Sequence, residues 1–194
     1  MASGQTENYG LNQWAAEDAV LREEFNRDNA KLDVEMESMA DNVKFIKLTE
    51  RIVPADTKQF AVTIPDTDLS SFSQLRLVIY AQTNGYSIYL RLNGQQENVY
   101  QTLSTNNNIS IMSNHLVKMP AGSYISAEGF LAPFAEDRDT CCMLHGLCQA
   151  AADFGHWPTA GRGPIPFNSM RTLDFYSDGI IKAESRFSLY GVLL

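Results

Sequence analysis

The sequence predicts a mainly β protein, in which a jelly-roll-like β-sandwich head follows an N-terminal helical, coiled-coil stalk. From Trp14 to Leu48 apolar residues recur at helical spacing with no turn signal between them. After Pro54 the apolar period falls to about two residues, which is typical of strands. We therefore expect three segments: a leader at residues 1–13, a stalk at 14–53 and a head at 54–194.

The stalk is predicted to oligomerise because its apolar residues fit a heptad repeat. The predicted seam consists of Phe25, Asn29, Leu32, Met36, Met39, Val43 and Ile46. A lone Asn in such a seam fixes the register and strand number of a coiled coil. Charged residues outside the seam, among them Glu24 and Asp28, are expected to face solvent, and Pro54 is expected to end the helical region.

The oligomer is predicted to be a homotrimer, by analogy with jelly-roll heads that are carried on short coiled stalks. The alternative is a single amphipathic helix that packs on the head of its own chain. The two readings differ in solution mass, since one requires several copies of the chain and the other only one.

Within the head, the strongest local pattern is a pair of alternating segments on either side of the Asn-Gly dipeptide at 84–85. Asn-Gly suits a two-residue type I′ turn, because both residues tolerate a positive φ. The sequence therefore predicts a β-hairpin that joins Leu75–Ala81 to Ser87–Leu92, with Tyr80 opposite Tyr89 on one face.

Further strand candidates follow at the spacing of a β-sandwich. They are Phe60–Ile64, Val99–Leu103, Ile109–Met112, His115–Met119, Tyr124–Leu131, Cys141–Leu147, Met170–Tyr176 and Ser185–Leu193. The stretch Cys141–Ala152 is open to a second reading, in which it begins a short helix.

Composition limits the partners that the chain can have. A formal net charge of −8 and a pI of about 4.8 argue against nucleic acid and anionic membranes, which both require a basic surface. No apolar run is long enough to span a bilayer. The first residues have neither the basic nor the apolar region of a secretory signal, so we expect the protein to be made and assembled in a cytoplasm.

Both ends of the chain carry recognisable motifs. Residues 8–14 read NYGLNQW, 21–29 read LREEFNRDN and 31–33 read KLD, while 173–175 read LDF and 180–192 read IIKAESRFSLYGV. These segments resemble the N-terminus and the terminal strand pair of structural proteins of tailed phages of gut Firmicutes. The middle of the head matches no family that we can name.

The resemblance implies a virion component, such as a tail-tip, fibre or head-appendage protein, that is assembled in the host cytoplasm. Tyr9, Leu11 and Trp14 are large apolar residues in an otherwise polar leader, and they are predicted to anchor the chain to other virion proteins. The alternative is that these three side chains fold back onto the stalk.

A ligand site is predicted in the turn-rich stretch Asp153–Asn168, since long loops of compact domains are often functional. His156, Trp157 and Arg162 could together stack on and hydrogen-bond a host-surface glycan. The alternative is a connection whose aromatic residues cap the sandwich or pack against a neighbouring subunit.

No metal, cofactor or catalytic site is predicted. Cys141, Cys142, His145 and Cys148 could in principle bind Zn²⁺, but neighbouring residues of a strand point to opposite faces. The acidic residues Glu136, Asp137 and Asp139 surround Arg138 and are expected to pair with it or to face water.

The sequence therefore predicts a non-enzymatic virion structural protein that displays a β head for host-surface binding. A second hypothesis is a purely architectural capsid-decoration, head-fibre or tail-joining protein without a ligand. A third is a polysaccharide-degrading enzyme carried on a fibre.

Overall fold

The computed structural model describes residues 2–7, 10–19, 21–41, 45–103, 110–134, 138–150 and 153–193. The chain divides into two compact units, Met1–Lys44 and Phe45–Leu194. Among the described residues no helix is both long and apolar enough to cross a membrane.

The described part of the N-terminal unit comprises a small β-hairpin and a helix. Strands β1 (Gly4–Gln5) and β2 (Asn12–Gln13) pair antiparallel, and α1 spans Arg22–Asp41. Glu23 and Glu24 lie in the first turn of α1, where a negative charge interacts favourably with the helix dipole.

The helical prediction is wrong beyond the end of α1. Phe45–Ile52 forms strand β3, so Ile46 lies in a strand, and Pro54 does not end the helix. Val43 lies outside the described residues. The apolar spacing of this segment also suits a strand, its β-branched residues favour one, and β3 pairs along most of its length with the last strand of the chain.

The second unit contains the remaining strands. They are β4 (Thr57–Thr63), β5 (Phe72–Gln82), β6 (Ile88–Leu92), β7 (Tyr100–Leu103), β8 (Ser110–Ser113), β9 (Val117–Met119), β10 (Tyr124–Phe134), β11 (Asp139–Ala150), β12 (Asp153–Gly163), β13 (Thr172–Ile181) and β14 (Arg186–Leu193). The strand candidates of the sequence all correspond to one of these strands, except that Ile109 lies outside the described residues. Cys141–Leu147 is a strand and not the start of a helix.

These strands form a mainly antiparallel β-sandwich. One sheet has the order β3-β14-β5-β10-β11-β12-β7-β8, and the other has the order β4-β13-β6-β9. The four strands of the small sheet face the first four strands of the large one in a jelly-roll-like order. The hairpins β7–β8 and β11–β12 are inserted into this plan and extend the large sheet to eight strands.

The core lies between the two sheets and includes a cluster of aromatic rings. Phe175 and Phe187 come from different sheets, and their ring centroids are 4.5 Å apart. Phe60 stacks on Phe175 at 5.3 Å and meets the edge of Phe187 at 4.5 Å. Burial of such large rings is a main source of stability for a β-sandwich.

The predicted hairpin around residues 84–85 does not form, because its two strands belong to different sheets. β5 pairs with β10 and β14, whereas β6 pairs with β13 and β9. Their apolar residues meet across the core and not side by side. Tyr80 and Tyr89 consequently lie on the opposite outer faces of the sandwich.

The predicted loop Asp153–Asn168 is mostly strand, because β12 continues to Gly163. In the described residues β12 pairs with β7 only at Gly161 and Arg162. Pro158 has no N–H to donate, and it lies outside that part of the ladder. The strand therefore accommodates a residue that the sequence analysis took as a loop signal.

Candidate binding surfaces

The leader is fixed to the helix through two buried polar residues. The backbone N–H of Asn12 donates to Oδ2 of Asp28 at 2.8 Å, and its side-chain Nδ2 donates to Oδ1 of Asp28 at 3.0 Å and to the carbonyl of Glu24 at 3.2 Å. Asp28 is only 7% exposed. Because a buried carboxylate needs such partners, Asn12 and Asp28 hold the β1–β2 hairpin against α1.

Glu24 and Lys31 extend this contact in both directions along the helix. Oε2 of Glu24 accepts from the backbone N–H of Ala2 at 3.1 Å and from Nε1 of Trp14 at 3.4 Å, and Lys31 donates to the carbonyl of Gly10. The prediction that Glu24 and Asp28 face solvent is therefore wrong.

The predicted anchor residues have different surroundings. Trp14 is half-buried and contacts the helix through Glu24, as the folded-back alternative expects, and Leu11 is half-buried as well. Tyr9 lies outside the described residues. A role of these residues in anchoring remains a prediction.

The other side of α1 exposes the predicted seam. Phe25 is 53% exposed, Leu32 is 39% exposed and Met36 is 65% exposed. Asn29 is exposed on the same line, and Met39 lies further along the helix. The leader therefore covers one flank of the helix, and the apolar heptad face remains exposed.

The residues of the predicted ligand loop do not come together. Trp157 is 8% exposed and points into the core from β12, whereas His156 and Arg162 lie on the outer face. Nε of Arg162 donates to Oε1 of Gln101 at 2.6 Å, and its guanidinium lies 5.3 Å from the ring centroid of Phe134. The predicted sugar-stacking patch of these three residues is therefore wrong.

The four candidate metal ligands on β11 also lie on opposite faces. Cys142 and Cys148 are buried in the core, and burial raises the pKa of the Cys142 thiol. Cys141 and His145 alternate with them and point outward. No cluster of three or more metal-ligating side chains occurs among the described residues. Glu136 and Asp137 lie outside the described residues.

The outer face of the four-stranded sheet carries an ordered layer of aromatic and charged side chains. Tyr89 and Tyr176 stack with their centroids 4.9 Å apart, and the guanidinium of Arg91 lies 3.7 Å from the Tyr176 centroid. The Tyr89 hydroxyl donates to Oδ2 of Asp178 at 2.8 Å, and burial is the larger of the causes that raise the pKa of Tyr89 to about 12. These contacts hold the rings rigidly.

A shallow pocket of about 310 Å³ opens beside this layer. Gln59, Arg91, Gln96, Asp174 and Tyr176 contribute polar and aromatic groups to its lining. Asp174 is held in place because it accepts from the backbone N–H of Gly94 at 2.6 Å and from the Thr172 hydroxyl at 2.7 Å. These converging hydrogen-bonding groups suit the hydroxyl groups of a sugar.

The sequence analysis missed this pocket because its lining residues are far apart in the chain. A usable signal does exist: outward Tyr, Arg and Asp residues alternate with apolar ones in Tyr89–Arg91 and in Asp174–Tyr176. Alternation places such residues on the outer face of a strand. The alternation does not reveal that β6 pairs with β13, and this pairing brings Arg91 opposite Asp174.

His115 gives this face a pH dependence that can be tested. Burial, with smaller contributions from Lys118 and Arg91, lowers the pKa of His115 to about 4. The unfolded chain binds a proton near pH 6.5, whereas the folded protein does not until about pH 4. Stability from this group is therefore present above pH 6.5 and is lost as the pH falls towards 4.

The unfolding free energy of the wild type should fall as the pH is lowered from 6.5 to 4. We expect His115→Gln to reduce this fall by roughly 1–2 kcal/mol, after allowance for solvent screening. Denaturant unfolding at a series of pH values measures this effect. His156→Gln, at an exposed site, is the matched control. An unchanged slope in His115→Gln would contradict the assignment.

Comparisons with known proteins do not place the chain in a family. No protein-family model matches it, and no curated protein matches it. Peanut lectin with a bound nonapeptide is similar over 77% of this chain and 87% of its own, with 8% identity and a TM-score of 0.31. A 1,3-α-1,4-β-D-galactose-4-sulfate-3,6-anhydro-D-galactose 4-galactohydrolase is similar over 98% and 75%, with 13% identity and a TM-score of 0.23.

Both TM-scores are low, so neither similarity assigns a family or an activity to this chain. Its own topology defines the class of protein: a jelly-roll-like β-sandwich preceded by a separate unit in which a leader hairpin is fixed to a helix.

Proposed function

We propose that this chain is a non-enzymatic structural protein of a tailed-phage virion, an oligomeric appendage that is anchored by its N-terminal unit and displays a β head for host-surface binding. The resemblance of the chain ends to phage structural proteins supports the virion part. The homotrimer, the anchoring of the leader and the bound glycan belong to the same proposal.

The observation that carries the proposal is the open apolar face of α1. Phe25, Leu32 and Met36 are exposed in a line, while the leader covers the neighbouring flank of the helix. Most of the stability of a helix in a protein comes from packing of its amphipathic face, and exposed Phe and Leu gain free energy on burial. Association of several helices through this face, with Asn29 in the seam, accounts for both features.

Host-surface binding is assigned to the pocket on the four-stranded sheet. The ring of Tyr176 is stacked on that of Tyr89, and the carboxylate of Asp174 is already hydrogen-bonded. Little conformational entropy is therefore lost when a ligand binds. Gln59 and Gln96 are exposed at its rim, where they can hydrogen-bond the hydroxyl groups of a saccharide.

We expect the double substitution of Gln59→Ala and Gln96→Ala to weaken binding of the full-length protein to host cells at least tenfold. Two lost hydrogen bonds of about 1 kcal/mol each account for such a decrease. Labelled protein titrated onto cells, with the melting temperature as a check of folding, measures it. Lys118→Ala, on the same face but outside the pocket, should bind like the wild type.

The alternative functions give different results in the same assay. A purely architectural protein would bind phage particles lacking it through residues 1 to about 20, and would not bind cells. An enzyme would shorten a surface polysaccharide.

A further inference from the structure

The two outer faces of the sandwich differ in chemistry. The eight-stranded sheet presents large apolar side chains at its centre: Tyr80 (58% exposed), Tyr124 (53%), Phe130 (36%), Met143 (66%) and Leu147 (51%). They lie on the adjacent strands β5, β10 and β11. The corresponding face of the four-stranded sheet is polar, and its Tyr rings are already stacked against each other and against Arg91.

The register places these apolar residues in two groups on the same face of the sheet, separated by the row of Val78, Glu128 and His145. Ser126 lies between Tyr80 and Leu147 in one row across the sheet, and Phe130 lies opposite Met143 four residues further along. Several large apolar side chains exposed on one sheet face are typical of a surface that another molecule covers. We name these five residues, Tyr80, Tyr124, Phe130, Met143 and Leu147, the apolar patch.

The charges of Arg76 and Glu128, which lie within and between the two groups of the apolar patch, neutralise each other. Nη2 of Arg76 lies 2.5 Å from Oε2 of Glu128, and Nε2 of His145 lies 3.6 Å from Oε1 of the same carboxylate. The pKa of Glu128 is lowered chiefly by its hydrogen bond with Arg76. The centre of this face is therefore neutral, although the chain carries a net charge of −8.

We propose that the apolar patch is the surface through which the β-sandwich heads of neighbouring copies of this chain contact each other. An identical copy presents the same neutral centre, so the two can meet without like-charge repulsion. Tyr, Phe, Met and Arg are the residues that are enriched in the cores of such interfaces.

A second copy explains the patch better than a small ligand does. The two hollows between its side chains measure about 280 and 250 Å³, so a ligand that filled them would leave exposed much of Met143 and Phe130, neither of which lines a hollow. Sheet faces of neighbouring copies that converge around a common axis would cover residues of both groups. This inference rests on the proposed oligomer, because helices that associate hold the heads at a high effective concentration.

The test compares Tyr80→Lys with Tyr86→Lys in the full-length protein. Tyr86 is similarly exposed, at 48%, but lies in the connection between β5 and β6 and not on the patch. Sedimentation over a range of concentrations measures the midpoint of dissociation. We expect Tyr80→Lys to raise this midpoint at least tenfold and Tyr86→Lys to leave it unchanged, while both retain the wild-type unfolding temperature within a few degrees.

The outcomes separate this inference from the proposed function. If the wild type assembles and the two variants dissociate at the same concentration, the head contact is wrong and the helical oligomer remains. If Tyr80→Lys assembles normally but loses binding to host cells, the patch serves a ligand and the inference is overturned. A wild type that is monomeric at every concentration contradicts both.

Discussion

Leu32→Glu is expected to reduce the solution mass of the protein to that of a single chain, 21.7 kDa. Leu32 lies between Phe25 and Met36 on the open face of α1. Loss of its burial alone costs about 2 kcal/mol per copy, and a carboxylate placed in each chain of the seam adds desolvation and like-charge repulsion. Several copies share this penalty, so the effect on assembly is large.

Light scattering during size-exclusion chromatography measures this mass directly. Val34→Glu is the matched control, because Val34 is 63% exposed on the same helix but lies outside the heptad seam. It should assemble like the wild type. If Leu32→Glu keeps the wild-type mass, or if the wild type is already a single chain, α1 is not the oligomerisation element.

The strands could be predicted from the sequence because burial alternates along them. In β10 the buried residues Ile125, Ala127, Gly129 and Leu131 alternate with outward ones, and this period of two is visible without a structure. The pairing of the strands could not be predicted in the same way. Asn84-Gly85 fits a hairpin turn by local rules, but the jelly-roll-like order sends the chain to the other sheet at this point.

The candidate sites were harder to predict than the strands because they depend on pairing. Glu24 and Asp28 look like exposed helix charges until the leader folds back and Asn12 hydrogen-bonds with them. Likewise, Arg91 and Asp174 are adjacent only because β6 pairs with β13. In contrast, the exposed apolar line of Phe25, Leu32 and Met36 on α1 could be located from the sequence, since heptad spacing is local. Its role as an oligomer seam stays a prediction.

The sequence analysis predicted a loop where β12 lies, because this stretch is rich in turn residues such as glycine. Glycine marks a loop in many sequences, but here it allows a close approach of backbones. A Cβ at Gly161 would lie 1.8 Å from the carbonyl oxygen of Leu116. Leu116 is tied to the other sheet, because its N–H donates to the carbonyl of Leu90 at 2.7 Å.

Gly161→Ala is therefore expected to destabilise the β-sandwich by about 3 kcal/mol, because neither backbone segment can move away without breaking ladder hydrogen bonds. For a domain of this size, such a loss lowers the melting temperature by roughly 6–12 °C. Gly155→Ala in the same strand is the control, since the nearest atom to its Cβ would be Sγ of Cys148 at 3.9 Å, and it should melt within about 2 °C of the wild type. Calorimetry measures both melting temperatures. Equal values for the two variants would mean that the sheets are not in close contact at Gly161, and backbone contact would then not explain the glycine at this position.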